Sequence, residues 1–119
     1  MAEDAVNKAV KIGGLTQREC VTETLGIAAP EPGTDSEKIH RSLPYTVGDA
    51  VRAVRTEMAR TVEDVLARRT RALFLNARAS IEAADTVARI IARETSDTDY
   101  DADKDVAEFK TVAANYLGF

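Results

Sequence analysis

The sequence predicts an all-α fold: a small bundle of three to four main helices behind an irregular N-terminal segment. Three observations predict it. Apolar residues recur every three or four positions over four separate stretches beyond residue 45. Aromatic residues are only 5% of the chain and there is no Trp, so the core must be built of Val, Ile, Leu and Ala, which suits close helix packing. Helix breakers are absent from Thr61 to Glu94 and gather before Tyr45. A chain of 119 residues is bounded to one domain with a modest core.

Residues 2 to 11, AEDAVNKAVK, predict a short helix with Ala5, Val6, Ala9 and Val10 on its apolar side. Gly13 and Gly14 end it. Residues 15 to 36 lack a helical period; Arg18 to Leu25 reads as extended, and Gly26, Pro30, Pro32 and Gly33 mark a loop. A turn of helix is expected from Ser36 to Arg41, stopped by Pro44, with little in this quarter to bury and His40 on the surface.

Thr46, with Asp49 three residues on, predicts the cap of the first strong helix, 46 to 59. Its stripe is Val47, Ala50, Val51, Val54 and Met58, leaving Arg52, Arg55 and Glu57 exposed. Thr61 with Asp64 repeats the signal and opens a second helix through Val62, Val65 and Leu66. Leu73, Phe74 and Leu75 break its phase, so an interruption is expected between Thr70 and Asn76, with Asn76 capping the next helix. That helix, 77 to 94, places Ile81, Ala84, Val87, Ala88 and Ile91 on the core and pairs Asp85 with Arg89. The last, 101 to 118, repeats Val106, Phe109, Val112, Ala113, Tyr116 and Leu117, with Asp101, Asp103 and Asp105 at its positive end.

The net charge of −4 conceals a pattern. Residues 52 to 93 carry nine Arg, no Lys and five acids, whereas residues 94 to 110 carry seven acids and two Lys. Exclusive use of Arg favours fixed, bidentate pairs over diffuse solubility charge. Nucleic acid is a poor partner, because acids interleave the basic stretch. The lone Cys20 excludes an internal disulfide and fits a reducing compartment, and with only His40 beside it the chain lacks the ligands of a Zn site. No apolar run approaches the length of a membrane span.

The densest chemistry lies in TVEDVLARRTRALFLN, residues 61 to 76. Asp64 and Arg68 are neighbours in the favoured acid-first order. Arg69 shares the phase of Val62 and Val65, so it is expected to point inward or against a partner, where a guanidinium needs carboxylates or carbonyls. Glu63, Asp64, Arg68, Arg69 and Arg71 are therefore the candidate docking residues, set against the plainer reading of a solvated helix end. A second pattern, DTDYDADKDVAE at 97 to 108, has the carboxylate spacing of a calcium loop, but Ala102 stands where Gly is required and Lys104 where an apolar residue sits. An acidic linker feeding a helix is the plainer reading of this segment; for the chain as a whole the alternative is a stand-alone helical interaction or regulatory module, with a Ca²⁺ response through residues 97–108 as one form of it. No catalytic or cofactor-binding constellation is present in the sequence.

The stretch LPYTVGDAVRAVRTEMARTVEDVLARRTRALFLNARAS resembles the C-terminal helical domain of FAD-dependent (aerobic-type) glycerol-3-phosphate dehydrogenase, most clearly over residues 40 to 94. Tyr45, Glu57, Thr61, Glu63, Asp64, Leu66, Ala67, Arg68, Arg69, Thr70 and Arg71 carry the resemblance. Residues 1 to 12 also resemble the helix that follows the flavin-contacting segment of that family, a segment expected just before Met1. The resemblance implies three parts: residues 1–14 as the last helix of a flavin domain, 15–44 as a linker, and 45–119 as the C-terminal helical domain. It implies an enzyme that oxidises glycerol 3-phosphate to dihydroxyacetone phosphate through FAD and passes electrons to a quinone, in the cytoplasm or at the inner membrane face. The FAD and substrate domain is then the partner. No flavin is expected on this chain alone, and any membrane association would come through the full enzyme.

Overall fold

The computed structural model describes residues 2–26 and 35–118. The chain clusters into two compact units, Met1–Pro30 and Glu31–Phe119. In the first, α1 (Ala2–Ile12) ends where Gly13 N–H donates to Ala9 O at 2.8 Å and Leu15 N–H to Val10 O at 3.0 Å, with Gly14 at φ +61° in the left-handed region glycine adopts without penalty. No residue of α1 is buried. Residues 18 to 25 hold a turn closed by Thr24 N–H on Val21 O instead of a strand. Pro30, Pro32 and Gly33, predicted to mark a loop, lie outside the described residues.

The second unit is all-α, as predicted: α2 (Val47–Thr56), a π-helical segment (Asp64–Arg69), α3 (Ala72–Leu75), α4 (Ala77–Thr95) and α5 (Ala102–Ala114). Helix α4 is the hub, packed against α5, α2, α3 and the π segment. Its Ala83, Ala84, Val87, Ala88, Ile90 and Ile91 are buried, and its small side chains allow close approach of neighbouring helices. Opposite them lie Ala50, Ala53 and Val54 of α2, Val65 and Leu66 of the π segment, and Val106, Phe109 and Ala113 of α5.

The helix starts follow their caps. Thr46 and Asp49 form a reciprocal capping box at α2, Asn76 accepts from Ala79 N–H at α4, and Asp101 accepts from Lys104 N–H at α5.

Several local expectations are corrected. No helical turn forms at Ser36 to Arg41. Lys38 and Thr46 make an isolated antiparallel bridge, and Val47 N–H reaches Glu37 O at 2.7 Å, so residues 37 to 47 fold back on themselves. That loop contributes Ile39 and Leu43 to the core, and half-buried His40 joins it to α4 through Glu82 at 2.9 Å. Helix α2 stops at Thr56, so Met58 leaves the stripe, takes φ +60° and is 77% exposed. Arg52 is half-buried between Asp49 and Glu57 instead of exposed. Asp85 bonds Lys110 of α5 at 3.4 Å, while Arg89 turns to Thr86, so their predicted pair is not made. Helix α5 ends at Ala114, which leaves Tyr116 and Leu117 outside the core.

Candidate functional site

The arginine-rich segment is built from its cap upward. Thr61 Oγ1 accepts from Asp64 N–H at 3.1 Å, and Asp64 Oδ2 accepts from Thr61 N–H at 3.1 Å and Arg60 N–H at 3.0 Å. This reciprocal box satisfies amides that have no intrahelical partner. Arg68 then reaches back with both Nη atoms, to Asp64 Oδ1 at 2.9 Å and Glu63 Oε1 at 2.7 Å. Its side chain is half-exposed, so this pair fixes geometry more than it stabilises.

Arg69 does not point inward. It is exposed, and its Nε donates to Glu57 O at 2.8 Å. The reason is the π turn: Thr70 N–H donates to Val65 O, five residues back, at 3.0 Å. That extra residue per turn rotates everything after it out of the 3.6-residue phase on which Arg69 had been aligned with Val62 and Val65. Buried Thr70 closes the turn with a second bond from its hydroxyl to Val65 O at 2.8 Å. Arg71 follows at φ +61°, ψ +19°, a left-handed conformation that costs a non-glycine residue about 1–2 kcal/mol. There its guanidinium lies 5.7 Å from the centroid of the Phe74 ring, and Phe74 meets Tyr116 edge to face at 5.5 Å.

The five predicted residues are therefore neighbours in three arrangements: a Glu63–Asp64–Arg68 cluster, Arg69 on the end of α2, and Arg71 on an exposed aromatic pair. Sequence reasoning missed the anchor beneath them. Asp105, buried in the first turn of α5, accepts from Val62 N–H at 2.8 Å and from Tyr100 OH at 2.6 Å. It caps, from 43 residues away, the turn that leads into the π segment. The signal was its phase, since Asp105 shares one face with Phe109 and Ala113.

This use of Asp105 also takes apart the calcium-like spacing. Asp101 caps α5, Asp97 accepts from Asp99 N–H, and Asp105 faces the core. Among the described residues no group of three His, Cys, Asp or Glu side chains could hold a metal ion.

An open depression of about 590 Å³ lies beside α2 and α4, lined by Val54, Arg55, Arg60, Glu94, Thr95 and Asp97. Glu94 accepts from Arg55 Nε at 2.6 Å and Arg93 Nε at 2.9 Å, and these bonds hold its carboxyl below the usual range. Arg60 is spent on the Val54 and Ala59 carbonyls. The depression does not fit a flavin: Arg55 is paired with Glu94, Arg60 is held by carbonyls, and no glycine is among its lining residues to bring backbone amides to a pyrophosphate.

The ion pairs set an acid limit on the fold. Burial pushes the Asp64 carboxyl up, but the Arg60 and Thr61 amides, the Thr61 hydroxyl and Arg68 outweigh it and hold it below the ordinary value; Asp49 is lowered in the same way by Thr46 and Arg52. Groups depressed in the folded state contribute stability above their unfolded pKa of about 4, and lose it as pH falls through the folded value. The melting temperature should therefore be level near neutrality and fall below about pH 4. In Asp64→Asn the neutral-pH melting temperature should drop and the acid slope flatten; an unchanged slope in a thermal scan against pH would contradict this assignment.

A family model, the C-terminal domain of alpha-glycerophosphate oxidase, matches residues 18–102. No curated protein and no solved structure matches the chain.

Proposed function

The chain belongs to the family of the C-terminal domain of alpha-glycerophosphate oxidase, and from that premise we propose that it is the helical accessory domain of a FAD-dependent enzyme acting on glycerol 3-phosphate. The proposed reaction oxidises glycerol 3-phosphate to dihydroxyacetone phosphate and passes the electrons to a quinone. The family match, covering most of the helical unit, carries this reading.

The chain's chemistry supports an accessory role. FAD supplies the hydride chemistry in such an enzyme, and the protein supplies binding and orientation. Here six of the nine arginines between residues 52 and 93 are held by carboxylates and carbonyls of the same domain: Arg52, Arg55, Arg68 and Arg93 in ion pairs, Arg60 and Arg69 on backbone oxygens. Cations held in this way shape a surface; they are not aimed together at one phosphate. Flavin binding and catalysis are accordingly proposed to reside in the partner domain, with Glu63, Asp64, Arg68, Arg69 and Arg71 in structural and docking roles. The site of action is the cytoplasm, at the inner membrane face where the quinone is reached. Among the described residues no helix is long and apolar enough to cross a membrane, so such a position would come from the full enzyme.

The test is direct. The purified chain is mixed with FAD, desalted, and its visible spectrum recorded. The protein fraction should carry no flavin band, and addition of glycerol 3-phosphate should reduce no dye acceptor. A stoichiometric retained flavin would place the cofactor site in these helices and overturn the reading.

A further inference from the structure

The segment from residue 69 to 78 carries features that the internal ion-pairing does not use. Residues 69 to 78 contain three arginines and no acid. Among the described residues Arg71 has no carboxylate partner and lies over the Phe74 ring, Arg78 has none, and Arg69 bonds a carbonyl. Phe74 is 53% exposed, Leu75 62% and Tyr116 49%. The chain maintains this arrangement at a cost, because Arg71 is held left-handed to make it. Two segments 42 residues apart, α3 and the end of α5, meet at the Phe74–Tyr116 contact, so the surface is a product of the fold.

We propose that the surface of Arg71, Phe74 and Tyr116, built on the arginine-bearing segment 69–78, is where this domain docks onto its partner. The partner is a protein surface that presents carboxylates beside apolar side chains. The inference rests on the accessory-domain reading above, in which the flavin-bearing domain supplies that surface.

Charge decides among occupants. A second copy docking through a two-fold axis would set this patch against itself, and Arg71, in a segment with three arginines and no acid, would then face its own copy. A lipid surface is served equally by lysine, whereas every cation from residue 52 to 93 is arginine. A guanidinium positioned on an aromatic ring keeps its planar fork free for a carboxylate, and aromatic anchors beside arginine are the side chains that dominate protein interfaces.

Hydrogen exchange tests this, comparing the 119-residue chain with the flavoenzyme that contains it. Amides of residues 71–76 and 114–117 should exchange at least about tenfold more slowly in the enzyme. Phe74→Glu should abolish that gain, while lowering the melting temperature of the isolated chain by only a few degrees, because the ring is half-exposed and outside the core. Protection confined to another face, such as Arg89, Ala102 and Asp103 between α4 and α5, would overturn the surface assignment and leave the accessory role standing. No protection anywhere in the helical unit would overturn both. Two further outcomes would also overturn the proposal: a dimer of the chain in sedimentation that Phe74→Glu dissolves, or flotation of the chain with phosphatidylglycerol vesicles that Arg71→Glu abolishes.

Discussion

Asp105→Ala should destabilise the helical unit by about 3–6 kcal/mol, since a hydrogen bond to a charged group contributes about 1.5–3 kcal/mol and two are lost. The carboxylate is 8% exposed and bonds Val62 N–H and Tyr100 OH. Alanine leaves a buried amide and a half-buried phenol without their acceptor. Against a total of about 5–15 kcal/mol, the loss is a large fraction. In a domain of this size it should lower the melting temperature by more than about 10 °C. Asp105→Asn keeps one acceptor and should recover part of the loss. Tyr100→Phe should cost less than Asp105→Ala, because the carboxylate keeps its bond to Val62. Burial and the Asp105 carboxylate together push the Tyr100 phenol well above its ordinary pKa, which favours the protonated donor. A thermal melt of Asp105→Ala within about 2 °C of the parent would show that the bond from α5 to Val62 carries little of the fold.

What could be read in advance divides along the range of the interactions. Thr46, Thr61 and Asn76 cap helices where their spacing to the first apolar residue predicts, because capping is settled within four residues; Asp101, read as one of three acids at the start of α5, is its cap. The core stripes of α4 and α5 were legible for the same reason. Arg69 was not, since a single i→i+5 bond at Val65 and Thr70 shifts the phase of every later residue, and nothing in the composition of DVLARR announces it. Tyr116 and Leu117 continue the apolar period past the end of α5, so the pattern alone assigned them to a core that the helix had already left. Glu63, Asp64 and Arg68 were found as a local cluster. The Asp105 bond to Val62 and the Phe74–Tyr116 contact join residues about forty positions apart, which no periodicity encodes.

Phe109→Ala should also cost about 3–5 kcal/mol, the range for emptying a buried phenylalanine site. Phe109 is 1% exposed and is the largest fully buried side chain among the described residues. It anchors α5, whose only other buried apolar side chains are Val106 and Ala113 among the described residues, and α5 packs chiefly on α4. Phe109→Leu retains most of the buried volume and should lose less. The comparison with Asp105→Ala carries further information, because the two residues lie one turn apart on the same helix. If α5 comes away as a unit when either anchor is removed, the second substitution finds its interactions already broken. The double variant should then cost at least about 1 kcal/mol less than the sum of the singles, since coupled neighbours deviate from additivity by this order. Chemical denaturation of the four proteins measures the cycle. Strict additivity would mean that Asp105 and Phe109 fasten α5 independently, and that the bond to Val62 persists when the aromatic anchor is gone.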